Sequence, residues 1–281
     1  MSTILCSAPS SCSDAAEALQ GFIDTHPRLV VLTGAGISTD SGIPDYRDRH
    51  AQWKRKQPVQ HHDFMQSLET RQRFWARSLI GWPMMRDAKP NTAHLKLAEM
   101  ERAGHIPLLI TQNVDGLHQQ AGHQNIIDLH GRSDRVLCTE CTAQYSRDQV
   151  HFWMLEENED FKHFQATAAP DGDADLENID FSLFNVSTCP ICNGTLKPDV
   201  VFFGDNVPRE QVERSLSQLQ QADALLVIGS SLMVYSGFRF CKRAHEWGIP
   251  ISALTLGKTR ADQLLTLKID ASIKNTLEQI K

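Results

Sequence analysis

Short β-branched runs alternating with helical segments, glycine turns that close two of those runs, and two C-x-x-C pairs predict the fold class. The expectation is an α/β protein: a Rossmann-like parallel sheet with helices on both faces, plus a small zinc-binding and helical domain inserted in it. With 281 residues, 41% hydrophobic and 22% charged, the chain can bury one large core and carry a second small module. A net charge of −6 argues against phosphate-backbone binding, so no nucleic-acid partner is expected. No apolar run approaches the length of a membrane span, and no membrane partner is expected either. Met1 to Ser13 is rich in serine, lacks arginine, and is followed by Asp14 and Glu17. It resembles neither a signal nor a transit peptide. The expectation is a short disordered lead-in and a cytoplasmic, not mitochondrial, protein.

In chain order, a helix is expected over Ala15 to Ile23. Leu29 to Leu32 then has the length and branching of a buried strand and runs into Gly34 and Gly36. Such glycines let the backbone turn tightly against a ligand, and a helix starting just after them would aim its free N–H groups at a phosphate. The signal is incomplete. Thr39 stands where the third glycine of G-x-G-x-x-G belongs, and Lys54, Arg55 and Lys56 stand where a ribose-binding acid is usual. An ordinary dehydrogenase is therefore disfavoured. Ser41 to Arg47 places a polar loop where a cofactor would lie, and Asp48 to Lys56 reads as either a mobile loop or a cofactor lid. Phe64, Leu68, Phe74, Trp75 and Leu79 fall at helical spacing, giving one or two helices with core aromatics. Pro90-Asn91-Thr92 opens another helix, which Gly104 ends near Arg102.

Ile106 to Thr111 reads as a strand ending in Gln112, Asn113 and Asp115, polar groups at the sheet's carboxyl edge, where open α/β sheets bind ligands. Ile126 to Leu129 is a second short strand, ending in His130-Gly131. A helix is expected over Gln149 to Glu156. The acidic run Asp171 to Asp175 lacks a calcium loop's turn glycine (Leu176) and terminal glutamate (Ser182), so a solvated loop is expected. Val200 to Phe203, Leu225 to Ile228 and Ile251 to Leu256 read as further strands. Gly229-Ser230-Ser231 forms a second small-residue turn. Helices over Phe238 to Trp247 and from about Ser272 complete the pattern.

Seven cysteines include the pairs Cys138/Cys141 and Cys189/Cys192, while Cys6, Cys12 and Cys241 stand alone. In a chain without a secretory signal, paired C-x-x-C reads as tetrahedral zinc rather than disulfide. A redox motif would need only one pair. Four thiolates leave no open position, so such a zinc is structural and cannot activate water.

The stretches G-A-G-I-S-T-D-S-G-I-P-D-Y-R, T-Q-N-V-D-G-L-H, L-H-G, the two C-x-x-C pairs, K-P-D-V-V-F-F-G-D and G-S-S-L together resemble the sirtuins, NAD-dependent protein deacylases. They cover the chain from about Leu29 to its end, in family order. P-V-Q-H-H-D-F, R-Q-R-F-W-A-R, G-W-P and V-Y-S-G-F-R-F resemble the class II branch. The resemblance implies an NAD-binding domain over residues 1–46, 88–137 and 196–281. It further implies a cofactor loop and helical part of the small domain over 47–87, and a zinc module with a long insertion over 138–195. NAD is implied as co-substrate, with one structural zinc held by Cys138, Cys141, Cys189 and Cys192. Acyl-lysine proteins or peptides are the implied partners of a monomer.

Residue by residue, the resemblance places Gly34, Ala35, Gly36, Thr39 and Arg47 along the NAD phosphates and ribose, with Tyr46 covering the reactive ribose. Gln112, Asn113 and Asp115 would form a nicotinamide pocket with Ile43, Pro44 and Asp45. Gly229, Ser230, Ser231, Thr255, Leu256, Gly257 and Ile273 would hold the adenosine side. Val201, Phe202, Phe203 and Gly204 would border the acyl-lysine tunnel, and the peptide would pair as a strand. His130 would be the general base, with Asn113 and Asp115 beside it in the catalytic group. Tyr46, Asp205 and Thr255 stand where the family has phenylalanine, glutamate and asparagine.

The implied reaction displaces nicotinamide with the acyl-lysine carbonyl oxygen. His130 then deprotonates a ribose hydroxyl, and free lysine and O-acyl-ADP-ribose result. Residues 60–90 contain no tyrosine for the Tyr-x-x-Arg of enzymes selective for acidic acyl chains. Acetyl, longer aliphatic and lipoyl-type groups remain open. A protein mono-ADP-ribosyltransferase would use the same NAD site, whereas a binder without catalysis has no need of His130.

Overall fold

The computed structural model describes residues 12–55, 57–164, 167–176 and 179–281. Most of the serine-rich lead-in (Met1 to Ser11, with Cys6) and Lys56 of the polar loop lie outside the described residues. The elements, in order, are α1 (Cys12–Thr25), β1 (Leu29–Thr33), α2 (His61–Gln66), α3 (Leu68–Asp87), α4 (Thr92–Arg102), β2 (Leu108–Thr111), α5 (Leu117–Gln120), β3 (Ile126–Asp128), β4 (Gly131–Cys138), β5 (Gln144–Ser146), α6 (Arg147–Glu157), β6 (Thr167–Ala169), β7 (Asp173–Asp175), β8 (Leu196–Val200), α7 (Arg209–Gln220), β9 (Ala224–Ile228), α8 (Tyr235–Glu246), β10 (Ile251–Leu254), β11 (Leu267–Ile269) and α9 (Ile273–Leu277).

Six strands form one sheet in the order β11-β10-β9-β1-β2-β3, and every pairing is parallel. β1 lies inside it, with Val30 opposite both Leu108 and Leu225. Alternation along the strands fills two cores. Leu29, Val31, Leu109 and Leu226 face α1, α4 and α9 through Leu19, Leu97 and Leu277. Val30, Leu32, Ile110 and Val227 face α7 and α8 through Leu219, Phe240 and Cys241. This is the doubly covered parallel sheet expected from the alternation of strands and helices. Asn91 caps α4 by accepting from the N–H groups of Ala93 (2.9 Å) and His94 (3.4 Å), and Gly104 follows the helix with φ +88°.

A second, antiparallel sheet has the order β5-β4-β8. Its core joins Val136 and Leu196 to Phe64, Trp75 and Leu79 of α2 and α3 and to Val150 and Met154 of α6. The aromatics of the 64–82 stretch are therefore core, as expected, although Leu68 is exposed at the start of α3. Arg147 is fully buried here, its guanidinium 4.5 Å from the Trp75 ring and 5.4 Å from that of Trp82. Burial lowers its pKa to about 9. The chain leaves the main sheet at Gly131, where φ is +79° and an added Cβ would lie 2.0 Å from Asp199 O. Only glycine fits there.

Several elements differ from expectation. The strand expected over Val200 to Phe203 is β8 (Leu196–Val200), and it belongs to the small antiparallel sheet. Pairing partners decide that, and they lie far away in sequence. The strand expected to run to Leu256 ends at Leu254. The acidic run is no solvated loop: β6 and β7 form a hairpin packed on α3, with Ala174 buried and Asp173 paired to Arg77 through two hydrogen bonds of 2.8 Å. An added Cβ on Gly81 would lie 2.4 Å from the Asp173 backbone, so the helix meets the hairpin directly. Helix α7 and strands β4, β5 and β11 had no counterpart in the sequence reading. Among the described residues no helix is long and apolar enough to cross a membrane.

Candidate active site

The carboxyl edges of β1 and β9 build the floor of a cleft. The N–H of Gly34 donates to Ile228 O (3.1 Å) and that of Gly36 to Gly229 O (2.8 Å). A Cβ on Gly36 would sit 2.9 Å from the Gly229 oxygen, and one on Gly229, at φ +66°, would sit 2.5 Å from Ile37 N. The two turns interlock because neither carries a side chain. The helix expected after them is absent. Ala35–Ile37 and Thr39–Ser41 form two single 3-10 turns, because Gly42 turns left-handed and stops the second. A continuous helix dipole therefore does not point into the cleft.

At the edge of β2 the polar side chains form one network. Asn113 Nδ2 donates to Ser38 Oγ (3.0 Å) and Gly34 O (3.3 Å), and the Ser38 hydroxyl donates to Asp115 (2.7 Å). Asp115 also accepts from Leu117 N–H at 2.9 Å, so it caps α5 while facing the cleft. Burial raises its pKa, opposed by the Leu117 and Ser38 bonds. Gln112 Nε2 donates to Ser230 Oγ (2.8 Å) and Thr33 O (3.2 Å), tying β1, β2 and β9 together.

His130 lies between β3 and β4 on the cleft wall. Its Nδ1 is 2.9 Å from Gln112 O and its Nε2 is 2.7 Å from Ser236 Oγ. Burial lowers its pKa to about 4, so the ring is neutral at physiological pH. Its own carbonyl accepts from Val201 N–H at 2.8 Å, which fixes the segment after β8 alongside it. The buried rings of His94, His118 and His123 meet edge to face with centroids 4.8 and 5.1 Å apart, outside the cleft lining. Those three fill the structural role usual for a histidine.

The polar loop folds over the opening. Arg47 donates to Ala51 O (2.8 Å) and stacks 3.7 Å above the Trp53 ring, while Tyr46, Trp53 and Phe203 meet edge to face. Ile43, Pro44 and Asp45 line the cleft beside them, and Asp45 is bonded to Lys54.

The cleft brings together most residues singled out from sequence. Gly34, Ala35, Gly36 and Thr39 line it from β1, Gln112 and Asn113 from β2, and Gly229, Ser230 and Ser231 from β9. Thr255 and Leu256 line it after β10, and Ile273 at the start of α9. Three singled-out residues lie elsewhere. Phe202 points into the small core against Phe64 and Phe74, since alternation along the extended segment sends Val201 and Phe203 to the cleft and Phe202 away. Gly204 is absent from the lining, and an added Cβ on Gly257 would strike Arg49 O at 2.2 Å, so Gly257 seats the loop instead. Ser38, Trp53, Met85 and Val234 line the cleft without having been singled out, and Ser236 touches His130. Ser38 stands inside the glycine-loop motif and Ser236 inside V-Y-S-G-F-R-F, so both were legible as motif members; a lone tryptophan in a polar loop carries no such signal.

The four paired cysteines place their sulfurs within 4.8 Å of one another, with Cys138–Cys192 at 3.4 Å and Cys141–Cys189 at 3.6 Å. Four thiolates 2.3 Å from a tetrahedral zinc stand about 3.8 Å apart. The group fits a structural zinc and leaves no position for water. It is the one such cluster among the described residues.

A parallel sheet whose glycine-turned carboxyl edge faces a cleft is the arrangement in which α/β proteins bind dinucleotides. The Sir2 family model matches residues 34–236. An NAD-dependent protein deacetylase of Xanthomonas campestris is 56% identical over 260 residues, covering 92% of this chain and 89% of the relative. The NAD-dependent protein lipoamidase sirtuin-4, mitochondrial, of Bos taurus is 47% identical over 259 residues, covering 90% and 81%. A solved Sir2 with p53 peptide and NAD+ superposes with a TM-score of 0.75 at 30% identity, covering 94% of this chain and 95% of that one. The chain belongs to the Sir2 family, and it is an NAD-dependent protein deacylase with a four-cysteine zinc site.

Proposed function

We propose that the protein removes neutral acyl groups from lysine, releasing nicotinamide and O-acyl-ADP-ribose, with His130 as the general base. The observation that carries this is the state of His130: half-buried, neutral, and set between the glycine turns and the Val201–Phe203 segment. A neutral imidazole there can accept a proton from a ribose hydroxyl at neutral pH. NAD, when bound, supplies a ribose carbon that becomes electrophilic as nicotinamide leaves. The chain's part is to hold and orient. Gly34, Ala35 and Gly36 allow close backbone approach, and Arg47 gives the cleft lining a half-buried cation suited to phosphates. Asp115, Asn113 and Ile43 suit a carboxamide, Asp115 as acceptor and Asn113 as its neighbour through Ser38. Thr255, Leu256 and Ile273, which line the cleft after β10 and at α9, would border the adenosine side.

Val200, Val201, Phe203 and Met85 give the other end an apolar wall, suited to an acyl chain. A second cavity shares Asp45, Tyr46, Trp53 and Pro170 with the cleft, offering room for a long chain. The cations Lys54, Arg55, Arg73 and Arg77 line it, with Lys54 paired to Asp45 and Arg77 to Asp173. The apolar wall of the cleft supports neutral groups such as acetyl, longer aliphatic or lipoyl. The name of the bovine relative points the same way. The test is NAD with peptides carrying acetyl, octanoyl, lipoyl and succinyl lysine, with peptide and nucleotide products followed by mass spectrometry. Neutral chains should be removed and succinyl spared. Preferred removal of succinyl overturns the acyl reading, and ADP-ribose on protein without freed lysine overturns the deacylase reading in favour of mono-ADP-ribosyl transfer.

A further inference from the structure

The base of the cleft has a second partner that comes from none of the strand edges. Ser236 lies in the first turn of α8, is buried, and has its Oγ 2.7 Å from His130 Nε2. On the far side of the ring, Nδ1 faces Gln112 O at 2.9 Å. A carbonyl can only accept, so Nδ1 carries the ring proton and Nε2 bears the lone pair. The Ser236 hydroxyl must then donate to Nε2. The approach of α8 is itself built in: an added Cβ on Gly237 would lie 2.4 Å from Gln112 Oε1, so the helix reaches both Gln112 and His130 through a glycine and a serine in succession.

We propose that Ser236 is a positioning residue for the deacylation, holding the His130 ring at Nε2 and yielding that lone pair to a ribose hydroxyl in the reaction. The proposal rests on the reading of His130 as the base. Bonds at both ring nitrogens fix its plane, and with Ser236 removed only the Gln112 carbonyl remains to orient it. The hydroxyl donates to the neutral ring and can turn to accept from imidazolium, so it holds Nε2 in either state. Burial favours the neutral ring, as does Arg239 from α8, the charged group that acts on this ring; β2 contributes the Gln112 carbonyl, which favours the charged form. Ser236 itself does not line the cleft, which suits a role through His130 and not on the substrate.

The experiment compares wild type, Ser236→Ala, Ser236→Thr and His130→Ala with NAD and acetyl-lysine peptide across pH. Alanine is well tolerated in a helix, so the fold should survive, with Tm as the check. For Ser236→Ala the expected result is about a tenfold fall in kcat with KM for NAD within about twofold. Threonine, which keeps the hydroxyl, should restore most of the lost kcat. An alanine variant with wild-type kcat, or a folded threonine variant no faster than alanine, overturns the proposal. His130→Ala separates the two readings. If it keeps turnover, the assignment of His130 fails; if it is inactive while Ser236→Ala behaves as wild type, only the role of Ser236 fails.

Discussion

In the cysteine module, each ligand pair sits within a single turn, and the two turns meet because β4 and β8 pair. In the cleft, the polar groups come from the edges of β1, β2, β3, β9 and β10, and neighbours in space such as Gln112 and Ser230 are far apart in sequence. The module's geometry is local and held by one centre; the cleft's is distributed and held by the main sheet. One centre fails all at once, whereas a distributed site loses function residue by residue. The predictions follow that contrast.

The largest effect is expected from metal removal. Four thiolates gathered within 4.8 Å repel one another without a cation among them, so a chelator, or Cys189→Ser, should unfold the small module and abolish activity. Thermal scanning with zinc analysis checks this, and fully active protein free of zinc contradicts it. The main sheet does not share the centre, so far-UV dichroism should fall only in part.

His130→Ala is next. Loss of a general base costs about a hundred- to ten-thousand-fold in turnover, with fold and NAD affinity nearly unchanged. In wild type the burial that lowers this pKa to about 4 keeps the base unprotonated well below the 6.5 of free imidazole. The acid limb of kcat/KM should therefore lie well below pH 6.5, and a limb at or above that value would show a solvated histidine.

A smaller effect is expected from Asp115→Asn. The carboxylate both caps α5 and faces the cleft. Asparagine keeps an acceptor for the Leu117 N–H but loses the charge and half the acceptor capacity. Turnover should fall about tenfold and nicotinamide should inhibit less, with Tm changed by no more than a degree or two. Steady-state kinetics beside calorimetry distinguish the roles: unchanged nicotinamide sensitivity would leave Asp115 only a cap.

The same contrast explains what sequence could reveal. The cysteine pairs were legible because their spacing alone constrains the geometry. Gly34, Gly36 and Gly229 were legible because a strand ending in glycine announces a tight turn. Which side of a segment faces the cleft was not: Val201 and Phe203 line it while Phe202 enters the core, because β4 sets the register. The extent of the helix after the glycine loop was not legible either, since Gly42 truncates it. The contact Ser236 makes lay hidden for the same reason. Nothing near it in the chain indicates that α8 will end its approach against His130, an outcome decided by Gly237 meeting Gln112.

The account's central claim is that the cleft couples breakage of NAD to release of lysine. The direct measurement is the ratio of nicotinamide released to lysine freed, with acetyl-lysine peptide in excess and zinc-replete enzyme. The account predicts one nicotinamide for each lysine, and almost no nicotinamide when the peptide is unacylated. Lysine freed without nicotinamide, or nicotinamide released at the same rate without acyl peptide, would contradict it.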